Sequence, residues 1–244
     1  MEAHYPPILR QFMGEERSRC TTYFDKTTIA AAHICGGCQS TSDAAKGKEP
    51  VNRKERHNYN QAVRPIEEAA LKQWAKEHGL WVDEQEFKAQ YAERKIGEGA
   101  EQKVYLKEDG KTVIKVNTGN YHGSWLEYFN RLLFHAVLFP ATSYTMTGVM
   151  EFEGALSMIS EQDFAILYEG APRAVIENYL QQQGFERIKN DDYYNAAMGV
   201  YLEDLHDENI FLDEEKHLLF IDPVIYFETL DLLRVGTMIF HFPF

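Results

Sequence analysis

The apolar residues change their spacing along the chain, and each spacing predicts an element. Over 65–79, Ile66, Ala70 and Trp74 with Ala69 beside them form a stripe at helical spacing, Pro65 stands first, Glu67 and Glu68 fill the first turn and Gly79 follows the last. Proline loses nothing at the start of a helix, carboxylates suit its positive end and glycine suits the residue beyond its last turn, so a helix is predicted over 65–79. Asp83, with Glu86 three residues on and then Phe87 and Tyr91, predicts a second, side-chain-capped helix. From Arg94 the period drops to two. Residues 95–99, 103–106 and 112–116 predict three short antiparallel strands, with Gly97 and Gly99 in the first turn and Asp109-Gly110 in the second. Ser124-x-x-Glu127 is a capping box opening an apolar helix that runs to about Phe139, before Pro140. Residues 144–160, broken at Gly148 and Glu153-Gly154, predict two strands, and 164–168 a third, buried one. Pro172 and Gly184 frame a helix over 173–183, and 185–188 with 193–195 reads as a hairpin turning at Asn190-Asp191. Ile210-Phe211-Leu212 and 218–221 form a last apolar hairpin.

Residues 1–60 lack such order. The stretch 39–48, QSTSDAAKGK, is small and polar without periodicity, and 53–60 continues charged and polar, so 39–60 is expected to be a linker or mobile segment. Just before it, Cys35-Gly36-Gly37-Cys38 has the spacing of half a zinc site, which Cys20 and His33 could complete. The other two ligands show no recognisable spacing, and unpaired thiols in a flexible loop is the preferred reading.

Composition narrows the class. A chain of 244 residues with 44% hydrophobic and 13% aromatic content can bury a substantial core. Its net charge of −13 is carried by the part after residue 60, since the first sixty residues are slightly basic. An acidic body argues against nucleic acid and anionic membrane as partners, which require basic patches. No apolar run reaches the roughly eighteen residues of a membrane span and no basic-then-apolar leader opens the chain, so a cytoplasmic location is expected. All three cysteines precede residue 40, which excludes a disulfide framework.

Candidate chemistry concentrates in the last hairpin. Asp204, Asn209 five residues on and Asp222 thirteen beyond that flank the two apolar runs, so a loop and strand pair would present three oxygen-bearing side chains together. Magnesium takes one or two protein carboxylates plus substrate phosphates, and a further carboxylate can orient an attacking hydroxyl. A polar turn rich in Asp and Asn would give the same local pattern, and two glycines in a hairpin are usually a turn. The order carries more weight: Gly97 and Gly99, Lys115 on a strand, Glu127 on a helix, then Asp204, Asn209 and Asp222.

This ordered set resembles the protein-kinase superfamily. The loop, with His206 where protein kinases usually carry Lys, is similar to that of aminoglycoside and choline phosphotransferases. From about Trp74 onward the chain most resembles the Ser/Thr/Tyr-kinase-like domain of bacterial and phage polyvalent proteins. The resemblance implies an α+β, minimal two-lobed protein-kinase-like fold with a truncated C-terminal lobe. Its domain would span 61–244, with an N-lobe over about 61–168 and a C-lobe over about 172–244, behind a variable, partly flexible segment 1–60.

It further implies ATP and Mg2+ as cofactors and a hydroxyl on a protein or small molecule as acceptor. Asp204 would serve the acceptor proton, Asn209 and Asp222 would hold magnesium, and Lys115 would meet the phosphates. Gly97 and Gly99 would let the loop backbone approach them, Val104 would lie under adenine, and Glu127 would pair with Lys115 or act only as a cap. Backbone groups of about Glu169 and Ala171 would hold the adenine edge.

Several positions depart from the pattern: Gln102 replaces the third loop glycine, Leu202-Glu203 precedes Asp204, Pro223-Val224 follows Asp222, and only 22 residues come after Asp222. The expected function is therefore γ-phosphate transfer to a hydroxyl, with a protein favoured over a small molecule as acceptor. The alternatives are a small-molecule kinase of the aminoglycoside or choline type, a pseudokinase acting as nucleotide-binding or scaffold module, and a zinc-dependent interaction protein working through 20–38.

Overall fold

The computed structural model describes residues 26–46, 53–100, 102–164, 169–206 and 208–227. Helices and antiparallel sheets are mixed, as the α+β expectation requires. The chain divides into two units, one made of Phe24–Leu133 with Tyr144–Phe164 and one that includes Phe134–Ser143 and Ala165–Phe244.

The first unit begins with helices α1 (Lys26–Lys46) and α2 (Arg53–Glu77), so most of the stretch expected as linker is helical; 47–52 lie outside the described residues. Pro65, expected to open a helix, sits inside α2 instead. An interior proline removes one backbone hydrogen bond and crowds the preceding turn, a cost of about 3 kcal/mol. Tertiary contacts offset it here, since Val63, Glu67, Leu71 and Ala75 on α2 are fully buried. Helix α3 (Glu84–Tyr91) starts as expected, with the Asp83 carboxylate accepting from the N–H groups of Gln85 at 2.8 Å and Glu86 at 3.0 Å. Its one buried side chain, Phe87, meets Tyr105 and Phe152 edge-on.

Those rings belong to a five-stranded antiparallel sheet ordered β1-β2-β3-β5-β4, built from β1 (Lys95–Glu98), β2 (Gln102–Leu106), β3 (Thr112–Asn117), β4 (Thr145–Phe152) and β5 (Ala155–Asp163). Ile114 and Val116 face the cluster of Phe87, Tyr105, Met150, Phe152 and Ile159, and strand alternation sends Lys115 and Asn117 to the other face. Gly148 permits the close approach of β4 to the α2–α3 connection: a Cβ there would lie 2.9 Å from Val82 Cγ2 and 3.2 Å from the Leu80 carbonyl. Two backbone bonds of 2.9 Å, Val149 N–H to Leu80 O and Val82 N–H to Val149 O, seal that contact. Helix α4 (Trp125–Leu138) follows β3. Of the strand expected over 164–168, Phe164 lies past the end of β5 and 165–168 are outside the described residues.

The second unit holds two small sheets. β10 (Ile210–Leu212) pairs with β11 (Leu218–Phe220) on one side and with β6 (Glu169–Gly170) on the other. The other sheet runs β12-β9-β8-β7, from Val224–Phe227, Val200–Glu203, Asp192–Asn195 and Glu186–Lys189. Helix α5 (Arg173–Gln182) ends before Gly184, the expected end marker, whose φ of 84° is the left-handed conformation that glycine adopts past a helix end. Its buried Ile176 and Leu180 join Phe139, Leu202, Leu205, Ile210, Phe220 and Ile225 in one core, with Phe139 stacked on Phe220 at 4.2 Å. That core lies beneath the hairpin carrying the candidate residues.

Candidate functional site

In the second unit the β10–β11 register sets the geometry. Ile210 pairs with Phe220, so Asn209 and Ile221 face each other just past the end of the ladder, and the Ile221 N–H donates to the Asn209 carbonyl at 2.9 Å. Asp222 is the next residue, which places Asn209 and Asp222 at one end of one ribbon although they stand thirteen positions apart in the chain. The Phe220 carbonyl, two residues before Asp222, accepts from Thr142 Oγ1 at 2.6 Å and from His135 Nε2 at 3.1 Å. A carbonyl can only accept, so Nε2 carries the His135 proton. Sequence reasoning missed both donors, because a His and a Thr 85 and 78 residues away carry no local sign of that carbonyl.

Asp204 is exposed and Leu205 behind it is buried, anchoring the loop. The loop closes on itself: Asn209 Nδ2 donates to the Asp204 carbonyl at 3.1 Å, Asn209 N–H to the His206 carbonyl at 2.9 Å, and Asn209 Nδ2 lies 3.2 Å from His206 Nε2. His206 Nε2 is in turn 3.3 Å from the Asp204 carboxylate. Asp204 has φ of 63°, a left-handed conformation costing roughly 1–3 kcal/mol for a residue with a side chain. The Asn209 brace holds the loop in that conformation, so Asn209 has a structural task beside any metal. Asp207 lies outside the described residues.

Glu169 and Ala171 sit beside β10. Glu169 pairs with Leu212 and its carboxylate meets Lys216 at 2.8 Å. The Ala171 N–H, expected to face adenine, donates to the Ile210 carbonyl at 3.0 Å instead. The sheet uses that donor, because β6 extends the β10 ladder.

In the first unit, Gly97 faces Val104 across β1–β2, and Val104 faces Lys115 across β2–β3. Neither Gly97 nor Gly99 has a left-handed φ, and an added Cβ would find only ordinary contacts, Val104 at 3.7 Å and the Gln102 carbonyl at 3.9 Å. The fold itself does not require glycine at either position. Lys115 is 4% exposed, and its ammonium lies 5.1 Å from the centre of the Tyr144 ring, a cation–π partner with no sequence signature. Glu127 accepts from the Gly123 N–H at 3.0 Å and from Arg131 at 3.3 Å, while Ser124 Oγ accepts from the Glu127 N–H at 3.1 Å. The Ser124 bond is the one the capping box predicts, the Glu127 carboxylate reaches the N–H one residue before the cap, and the Arg131 contact is an ion pair one turn along the helix.

Asn209 and Asp222 suit magnesium, which needs few protein oxygens when phosphates supply the rest. Among the described residues no group of three or more His, Cys, Asp or Glu is gathered for a metal. Cys35 is buried and Cys38 half-buried on α1, not in a flexible loop, and burial followed by the Glu67 carboxylate pushes the Cys35 thiol well above its usual range. His33 is exposed on the same helix, and Cys20 lies outside the described residues. Among the described residues no helix is long and apolar enough to cross a membrane.

No curated protein matches the chain. The family profile for serine/threonine/tyrosine kinases found in polyvalent proteins matches residues 65–229, about two thirds of the sequence and the whole span from Gly97 to Asp222. With the Asp204–Asn209 loop and Asp222 held around one hairpin in that span, the chain belongs to the family of serine/threonine/tyrosine kinases found in polyvalent proteins.

Proposed function

We propose that this kinase is an ATP- and magnesium-dependent phosphotransferase that moves the γ-phosphate to a hydroxyl on a protein. The observation that carries the reading is the β10–β11 register, which sets Asn209 and Asp222 at one end of a ribbon and, through the Asn209 side chain, ties Asp204 to the same place. In phosphoryl transfer the chain positions groups and neutralises charge rather than forming covalent bonds. Asp204 orients the acceptor hydroxyl and takes its proton as the oxygen bonds to the γ-phosphorus and the bond to the β-phosphate oxygen breaks. Asn209 and Asp222 would hold magnesium, which supplies charge neutralisation on the phosphates. Lys115 adds a buried ammonium for the phosphates, and Gly97 and Gly99, which the fold does not require, leave backbone room for a phosphate to approach.

Adenine contacts fall to Val104 and to the backbone near Glu169, with the Ala171 carbonyl as that residue's contribution. The division into a nucleotide lobe to about residue 168 and a catalytic lobe from about 172 belongs to this reading, as does a cytoplasmic setting. The test is ATP turnover and autophosphorylation with and without magnesium in the wild type, Asp204→Asn, Asp222→Asn and Lys115→Met. Magnesium-dependent turnover lost in all three variants is expected. Unchanged turnover in both Asp variants would sink the assignment, and nucleotide-induced thermal stabilisation without any turnover would replace it with a pseudokinase.

A further inference from the structure

Helix α2 holds the start of α4 through one face. The Arg64 guanidinium donates to three carbonyls of the β3–α4 loop, Thr118 at 2.8 Å, Gly119 at 2.7 Å and His122 at 3.0 Å, and Nε pairs with Glu68 at 3.0 Å. One turn on, Glu67 is 0% exposed and accepts from the N–H groups of Trp125 at 2.8 Å and Leu126 at 3.4 Å, the first two residues of α4. Glu68 Oε1 also accepts from the Trp125 indole at 3.3 Å, and Arg64 lies 5.2 Å over the ring. Gly119 is fixed between them, with φ of 63° and room for no Cβ: one would lie 2.8 Å from Trp125 and 3.2 Å from Arg64.

Helix capping alone does not call for this arrangement. The first N–H groups of a helix lack internal partners, and an exposed Ser or Asp satisfies them at little cost. Ser124 already serves the Glu127 N–H. Burying a carboxylate costs several kcal/mol before its partners compensate. What a buried Glu67 adds is position, since it joins α4 to a second helix instead of to solvent. The loop held by Arg64 connects Lys115 on β3 to Glu127 on α4, and Arg64 itself lies one residue before the stretch matched by the family.

We infer that Arg64 and Glu67 are positioning residues: by fixing the 118–123 loop and the first turn of α4 to α2, they set how Lys115 is presented to nucleotide phosphates. The inference rests on the nucleotide reading of Lys115 given above. It assigns α2 a part in nucleotide binding, although none of its residues is proposed to touch the nucleotide.

The experiment uses the full chain with Arg64→Lys and Glu67→Gln, each of which keeps a polar head of similar size. Lysine cannot span three carbonyls as the planar guanidinium does, so Arg64→Lys should not substitute. Two measurements are compared with the wild type: amide hydrogen exchange, and the dissociation constants of Mg-ATP and of adenosine, which has no phosphates. Exchange should rise at least ten-fold over 118–126 and stay unchanged over β4 and β5. Mg-ATP affinity should fall at least ten-fold while adenosine affinity holds.

Equal loss of ATP and adenosine affinity would show general loosening and overturn the inference, as would unchanged ATP affinity. A wild type that binds neither ligand would overturn the nucleotide reading and the inference together. In that case faster exchange confined to 118–126 would still register α2 as the clamp of α4, separating the two failures.

Discussion

His122 makes the stability of the unit that carries Lys115 sensitive to acid. The residue is 7% exposed, its ring is packed edge-on against Tyr128, and Nδ1 has no hydrogen-bond partner among the described residues. Burial, then the neighbouring Arg131 and Arg64, push its pKa from 6.5 down to about 3. The folded state therefore holds His122 neutral while the unfolded state takes up a proton below pH 6.5. Stability from this group is complete above the unfolded value and is lost as pH falls towards the folded one. Between pH 7.5 and 5 the linkage amounts to about 2 kcal/mol, most of the interval lying between the two pKa values.

The assay is urea unfolding of the wild type and of His122→Phe at half-unit steps from pH 7.5 to 5. Phenylalanine keeps a ring against Tyr128, removes the unpaired nitrogen and cannot titrate, so near-equal stability is expected at pH 7.5. At pH 5 the variant should be the more stable, its midpoint higher by roughly 1 M urea. The difference between the two proteins isolates this residue from every other titrating group. A gap that stays constant between pH 7.5 and 5 would refute the reasoning.

Three further outcomes are expected. Gly148→Ala should lower stability by about 1–3 kcal/mol, because a Cβ 2.9 Å from Val82 and 3.2 Å from the Leu80 carbonyl forces β4 away from the α2–α3 connection; thermal unfolding reads it, and an unchanged Tm would contradict the close approach. Gly97→Ala and Gly99→Ala should leave the Tm nearly unaltered while weakening Mg-ATP binding, since the fold has room for both methyl groups and a loop-bound phosphate would not; destabilisation with normal binding would reverse that argument. Thr142→Val removes the 2.6 Å bond to the Phe220 carbonyl and should cost about 1 kcal/mol in chemical unfolding, with part of the bonding kept by His135.

Much of this molecule is readable locally. Asp83 and Ser124 announce the starts of α3 and α4, Gly184 the end of α5, and alternating residues the strands around Lys115, because caps, turns and strand faces involve residues a few positions apart. The glycines, the lysine and the Asp-Asn-Asp set were legible differently, as an order along the chain from Gly97 to Asp222 with local spacing only inside each motif.

Other features required the tertiary structure. Pro65 reads as the start of a helix, yet α2 begins twelve residues earlier, because the buried Val63 and the Arg64 contacts favour continuing the helix through a local defect. The Ala171 N–H is used by Ile210, the Phe220 carbonyl by Thr142 and His135, and the start of α4 by Glu67, in each case a partner 39 to 85 positions away. By itself the sequence determined the order of the candidate residues and most of the local elements that carry them. Only the tertiary structure decided which backbone groups were left for a ligand, because a buried polar group takes whichever partner the packing brings, and no periodicity records that choice.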